Sequence, residues 1–460
     1  MSNKYMNANK KILILSILDV LILSYGHTIN VNLIILIGLF GFCALVLLSP
    51  KQAFLPIMLF YLPWSPIMKF NQGDFTFYTI IVILFFLALL LITGANDDKG
   101  ILKLDNILVA CLFIVYTMII KLFLEQNFSM SYLMFIFMLV FIPTYLNLYH
   151  SKISFEFCII SFSTGIITAG FASKILMEFP HMLQYIDVYE WKKVGLTRLS
   201  GFYGDANFYS SHILVAICGL LIISINKQFK DAFQLYIVVI VLIYLGLLSV
   251  SKMFLLVLMA VIGLWILAVL LQKGKINTKI RIVFCFVMGV IFIITSGIFT
   301  DLINMYLIRF GMVKDTSSLT TGRSDILENY ISFFENNPIS LLFGQGYSSV
   351  FSGGINSSAH DTLVQALYQL GILGSIFLVI WIFQLSILTS KVNNNNSTKI
   401  SGFNVYTIAF AVACFFPWFS LDILFFDEFF YITALYFIGR NYILCKNKMD
   451  LYKGKYKHNY

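Results

Sequence analysis

Apolar runs long enough to cross a lipid bilayer recur from one end of this 460-residue chain to the other, separated by short polar punctuation. They fall near residues 11–25, 31–49, 52–68, 76–94, 105–124, 130–148, 154–176, 206–225, 233–250, 253–272, 280–300, 361–389, 402–420 and 423–440. A hydrocarbon layer about 30 Å thick takes about 20 helical residues to cross, so most runs match one span. The run 52–68 is interrupted by Pro56, Pro63 and Pro66. Composition points the same way. Apolar residues are 59% of the chain and charged residues 12%, against about 45–50% and about 25% in an average soluble domain. With a mean hydropathy of +0.87, no globular interior of this size hides that much apolar surface. Lipid must be the solvent for most of the chain. The expected fold is all-α: a polytopic transmembrane helical bundle of about fourteen (12–14) spans, forming one integral membrane domain over residues 1–460.

The net charge of +9 matters less than its placement. Basic residues gather at Lys4, Lys10 and Lys11, at Lys273, Lys275, Lys279 and Arg281, and in a tail from Arg440 to Lys457. Short loops and termini rich in Lys and Arg mark the cytoplasmic side of a membrane protein. Placing the N-terminus inside puts roughly two-thirds of all Lys and Arg on that side, and an even span count also leaves the tail 441–460 cytoplasmic. The charge therefore reads as membrane orientation, and no nucleic-acid partner is expected. The seven cysteines are scattered through apolar runs without metal-ligand spacing, so no metal site is expected. No small-residue cleavage site follows the apolar stretch from Ile12 to Leu23, which reads as a first span. The Asn-rich stretch from Asn393 to Asn396 reads as a linker.

On this topology the two long connections, about 177–205 and 301–360, both lie outside, each expected to contain short amphipathic helices. Loops of this length are commonly functional. The first ends in RLSGFYGDANFYS, where Gly201 and Gly204 permit turns and Asp205 stands at the N-cap of the next span. In the second, Ser324 reads as an N-cap with Asp325 in the first turn. Ile326, Tyr330 and Phe333 then recur at helical spacing until Pro338 ends the element. That pattern describes an amphipathic helix lying on the outer membrane surface. FGQGY then supplies a turn at Gly344 and Gly346, and His360 opens the next span within its first turn. A helix N-terminus disfavours imidazolium and offers free N–H groups to an anion, so His360 there suits proton acceptance or phosphate contact. Asp361 either orients the imidazole or favours the helix start electrostatically.

Arg198, Arg309 and Arg323 face the outer compartment on this reading, against the inside bias of basic residues. Each either snorkels to lipid headgroups or binds an anion, and a guanidinium pairs phosphate in a fork. Lys252, at the outer end of the ninth span, is positioned to join them. Asp427 and Glu428 lie a turn or more into the last span, where a buried acid calls for a partner. The three arginines are the expected partners, in a functional or a purely structural role.

These segments resemble the O-antigen polymerase and O-antigen ligase superfamily of bacterial envelope glycosyltransferases. The likeness rests on RLSGFYGDANFYS, TTGRSDILENYISFFENNPISLLFGQGYSS and AHDTLVQALYQLGILG, and covers roughly residues 195–380. One departure is Asp361, where the family commonly has Asn. The resemblance implies a multi-pass protein of the bacterial cytoplasmic membrane that transfers a glycan from an undecaprenyl-diphosphate carrier on the outer face, with no cofactor. It implies that Arg198, Arg309 and Arg323, with Lys252, hold the diphosphate. His360, with Arg323 and Arg198, forms the catalytic set, supported by Asp205, Asp361, Asp427 and Glu428. Partners would be the carrier-linked oligosaccharide, membrane lipids, a chain-length regulator and a flippase. A repeat-unit polymerase making O-antigen, capsule or exopolysaccharide is the leading expectation. The alternatives are a ligase acting on lipid A–core or protein, and a transporter of lipid-linked saccharides. Ionisable residues concentrated at the outer loops favour surface chemistry over translocation.

Overall fold

Every regular element among the described residues of the computed structural model is helical, as lipid solvent requires of a chain that must pair its own backbone. The structure describes residues 3–70, 75–94, 104–124, 126, 129–185, 198–225, 227, 229–271, 289, 300–311, 323–347, 359–390 and 404–456. Helices α1 (Asn3–Ile29) and α2 (Asn32–Leu48) pack as a hairpin. Further on come α4 (Phe77–Gly94), α5 (Leu104–Phe123), α6 (Met130–Tyr149) and α7 (Phe155–Leu176). After the first long connection follow α8 (Ala206–Ser224), α9 (Phe229–Leu248) and α10 (Lys252–Leu271). Among the described residues, seven helices are long and apolar enough to cross a membrane, and four shorter apolar ones accompany them. All of the run 280–300 except residues 289 and 300 lies outside the described residues.

The run 52–68 is not one continuous helix. It folds as a 3-10 turn (Lys51–Ala53), the short helix α3 (Phe54–Tyr61) and a second 3-10 stretch (Leu62–Ile67). Every residue of α3 is buried, so this segment sits inside the bundle instead of facing lipid. A broken helix exposes backbone carbonyls that no water can satisfy, and each left unpaired costs about 1–3 kcal/mol. Tyrosines on neighbouring segments fasten this stretch. The Tyr203 hydroxyl donates to Leu62 O at 2.7 Å. Tyr78 donates to Met58 O at 3.0 Å and Tyr145 to Lys51 O at 3.3 Å, each as a second donor beside the backbone N–H of Leu62 and of Phe54. The segment lies so close to α7 that a Cβ on Gly165 would stand 2.0 Å from Phe60 O. Close backbone approach through small residues is how helices pack where lipid removes the hydrophobic drive.

The same device recurs in α6. Pro143 frees the carbonyl of Leu139, and the indole of Trp381, from α14 (Thr362–Ser390), donates to it at 2.9 Å. Helix α14 is itself two helices joined at Gly371, whose φ of 69° is open to glycine at little cost. The break releases three consecutive carbonyls. Gln345 N–H donates to Tyr368 O at 2.7 Å, Gly346 N–H to Gln369 O at 3.0 Å, and the Tyr116 hydroxyl to Leu370 O at 2.7 Å. The long second connection thus dips back onto the break. Its parts are α11 (Thr300–Gly311), α12 (Arg323–Asn336) and α13 (Pro338–Phe343).

Three expectations shift at this level. Helix α12 begins at Arg323, so Ser324 lies inside its first turn instead of capping it. Its Ile326, Tyr330 and Phe333 face packs on Tyr368 and Ala359, so that stripe is covered by protein while Leu327 and Ile331 remain exposed. The last two elements, α15 (Val405–Phe415) and α16 (Asp427–Tyr456), show that the final span and the basic tail share one helix to Tyr456.

The proline–indole pairing gives a stability test. Trp381→Phe should lower unfolding stability in detergent by about 1–3 kcal/mol, the cost of an orphaned buried carbonyl. Adding Pro143→Ala should recover much of the loss, because the restored N–H takes Leu139 O. Losses that simply add would show that the pairing is incidental.

Candidate active site

The end of α9 gathers the first two arginines. Helix C-terminal carbonyls lack intrahelical partners and carry the negative end of the dipole, so cations settle there. Here the chain turns tightly into α10, with Val250 in the left-handed region at φ 46°. Leu199 N–H donates to Leu248 O at 3.0 Å, Arg198 Nε to Ser249 O at 2.8 Å, and Arg309 Nη1 to Val250 O. The segments bearing Arg198 and Arg309, 51 and 59 residues from their acceptors, are thus fastened to one turn. Asn207 joins them: its Oδ1 accepts from Ser251 Oγ at 2.8 Å and lies 3.5 Å from Arg198 Nη2. Asp205 caps α8 as expected, accepting from Asn207 N–H at 2.7 Å. Positive φ at Gly201 and Gly204 turns the chain between Arg198 and that cap. Lys252 stands at the start of α10 with its ammonium 5.8 Å from the Phe310 ring centre, close enough to Arg309 for mutual repulsion.

Arg323 heads α12, and the aromatic face of that helix fixes where it sits. Tyr330 and Phe333 meet the Tyr368 ring at 5.2 and 5.4 Å. Arg323 is thereby held within the fields of Asp205, Asp422 and Asp361. Among the described residues no ion pair joins it to any of them, so the guanidinium fork is not consumed by a carboxylate. The three arginines also sense one another: Arg309 and Arg323 both oppose the charge on Arg198, and Arg323 opposes that on Arg309.

His360 is placed differently from expectation. It does not lie in the first turn of α14, which begins at Thr362. It precedes the cap, in the left-handed region at φ 48°. Asp361 is the cap, its Oδ1 accepting from Leu363 N–H at 2.8 Å and Val364 N–H at 3.2 Å. Of the two roles open to Asp361, the helix-start role is the one its contacts show. Asp422, in the turn before α16, accepts from the backbone N–H groups of both His360 and Asp361 at 3.0 Å each. These amides are therefore occupied by carboxylates and are not a free anion site. The anion-binding capacity here lies in guanidinium groups instead.

Charge and burial set the electrostatics. Burial is the main cause that lowers Arg198 to about 10, with Arg309 adding to it and Asp205 opposing. Arg198 therefore remains a cation at neutral pH. Burial also lowers Arg309 and Arg323; Tyr306 offsets part of the effect at Arg309, and Asp205, Asp422 and Asp361 offset it at Arg323. Asp361 is raised, again chiefly by burial, against its two backbone hydrogen bonds. Three crowded cations, each partly desolvated, are an arrangement that an anionic ligand would relieve.

The structure does not bring Asp427 and Glu428 to these arginines. Asp427 accepts from the Thr79 hydroxyl at 3.2 Å, and Glu428 is buried within hydrogen-bond reach of Tyr203. No Lys or Arg among the described residues forms an ion pair with either. Conversely, Asp422 and Asn207 were not anticipated. Asp422 carried a usable signal, a lone acid between the aromatic runs FFPWFS and ILFF. Asn207 carried none beyond its place beside a cap.

No curated protein matches this chain. The family model described as O-antigen ligase matches residues 237–379. That segment runs from α9 through the first half of α14 and beyond, and it contains Arg309, Arg323, His360 and Asp361. The chain is a multi-pass helical membrane protein whose residues 237–379 are similar to the O-antigen ligase family.

Proposed function

We propose that this end of the bundle faces the outside of a bacterial cytoplasmic membrane, with both termini cytoplasmic, and transfers glycans there from an undecaprenyl-diphosphate carrier. The observation that carries the reading is the convergence of Arg198, Arg309 and Arg323 from separate segments, with Arg323 in the fields of Asp361 and Asp422, which adjoin His360, and in no ion pair with a carboxylate among the described residues. Such a cluster suits a diphosphate. Its charge rises as the glycosidic C–O bond breaks and the electron pair leaves with the phosphate oxygen. Fixed guanidinium groups stabilise that developing charge. An acceptor hydroxyl attacks the anomeric carbon, and its proton passes to His360. Lys252 adds positive charge at the rim, and Asp205, Asp361 and Asp422 hold the backbone that positions the arginines and the histidine. The donor brings its own leaving group, so the reaction needs no cofactor.

The acceptor in this reading is a second lipid-linked repeat unit, which makes the enzyme a repeat-unit polymerase. A ligase that hands the glycan to lipid A–core or protein is the second reading, favoured by the description of the matching family. Deleting the gene separates them. Loss of the polymer ladder with single units still attached identifies a polymerase, whereas long carrier-linked chains that accumulate identify a ligase.

Arg323→Ala and His360→Ala should each slow elongation of a purified diphosphate-linked repeat unit by about 100-fold or more. Arg323→Lys should retain only part of the activity, since a point charge does not reproduce the fork. Rates equal to wild type would remove these residues from the site. Reporter fusions ending near residues 205 and 311 should both score as extracytoplasmic. A cytoplasmic score at either reverses the orientation.

A further inference from the structure

The outer loop is anchored by a lysine far from it in sequence. Lys121, near the end of α5, is only 2% exposed, although it carries one of the few charges in a span. Its ammonium lies 5.1 Å from the ring centre of Tyr132 and 5.8 Å from that of Tyr347. A desolvated ammonium over tyrosine faces is a strong form of cation–π contact. Tyr347 ends the Gly344–Tyr347 turn, whose N–H groups pair the carbonyls released by the α14 break. The stretch just beyond Lys121 holds the same turn: Gln126 Nε2 donates to Gln345 O at 2.8 Å, and its own backbone N–H donates to Lys121 O at 3.0 Å.

The contacts continue toward the site. The Tyr347 ring packs on Phe425 at 4.4 Å, three residues after Asp422, which holds His360 and Asp361. On the other side the turn braces α14 within three turns of His360. Gly344 and Gly371 meet back to back, and a Cβ on either would fall 2.5 Å from the other's backbone N–H or a neighbouring carbonyl. Nothing in this contact tolerates slippage, so whatever fixes Tyr347 fixes both the helix break and the loop bearing Asp422.

We propose that Lys121 is a positioning residue of this site: its ammonium, seated against Tyr132 and Tyr347, locks the Gly344–Tyr347 turn that braces α14 beneath His360. In this arrangement Lys121 acts on the site through the turn. The kinetic part of the proposal rests on the transfer reaction above; the structural part does not.

The test uses the full-length protein in lipid nanodiscs and reads two quantities. Amide exchange at Gln345 and Gly346, the two N–H groups bonded to α14, should be about tenfold faster or more in Lys121→Met and near wild type in Lys121→Arg. With a diphosphate-linked repeat unit, Lys121→Met should lower kcat about tenfold and leave the donor KM within about twofold. Tyr347→Phe, which keeps a ring, should match wild type, whereas Tyr347→Leu should match Lys121→Met. The double variant should be no worse than either. Should Lys121→Met fail to accumulate, Tyr347→Leu carries both measurements. Unchanged exchange in the variant overturns the role of Lys121, whatever the activity. Faster exchange alongside a wild type that transfers nothing would leave Lys121 in place and defeat the enzymatic reading instead.

Discussion

Backbone carbonyls that a broken helix releases into a waterless interior govern this molecule. Each must find a donor or cost about 1–3 kcal/mol, and the pairs formed decide which distant segments meet. Pro143 draws Trp381 to Leu139 O, and Tyr203 fastens the broken stretch at Leu62 O. The Gly371 break draws Gln345, Gly346 and Tyr116 to three carbonyls in a row. The turn after α9 draws Arg198 and Arg309 to Ser249 O and Val250 O. The candidate site is assembled largely from the last two of these.

This origin explains why the arginines are crowded. Arg198 and Arg309 are brought to one turn by its carbonyls, and Arg323 is delivered by the aromatic packing of α12 on Tyr368. None of these anchoring contacts neutralises charge, because a carbonyl carries only a partial charge. Asp205 and Asp422 spend their oxygens on backbone amides and offset the cations from a distance. The cluster therefore keeps a net demand for an anion. A diphosphate meets it with several oxygens, each able to accept from a guanidinium fork.

Much of this was legible in the sequence. Apolar run lengths specified a polytopic helical bundle, and the Asp205 cap, the turns at Gly344 and Gly346 and the Ile326–Tyr330–Phe333 stripe all appear where their patterns put them. What failed to show were partners. Nothing local distinguishes a carbonyl freed by Pro143 from any other, and its donor lies on α14. The histidine was legible as a residue at a helix start but not as one held before the cap by Asp422, some sixty residues on. Asp427 and Glu428 read as acids in need of cations, yet the Thr79 hydroxyl donates to Asp427 and Glu428 is buried beside Tyr203. Pattern reading finds elements; it does not see which hydrogen-bonding demands are met from elsewhere in the bundle.

The central claim is that the arginine cluster binds a diphosphate, and it is open to a test that needs no knowledge of the sugar. Titration of the nanodisc-embedded protein with a short-chain polyprenyl diphosphate should show saturable binding that inorganic diphosphate competes for. Binding should weaken by about tenfold or more in Arg323→Ala, on the scale of one lost charge-assisted pair. Equal binding by wild type and Arg323→Ala, or none by wild type, would contradict the account.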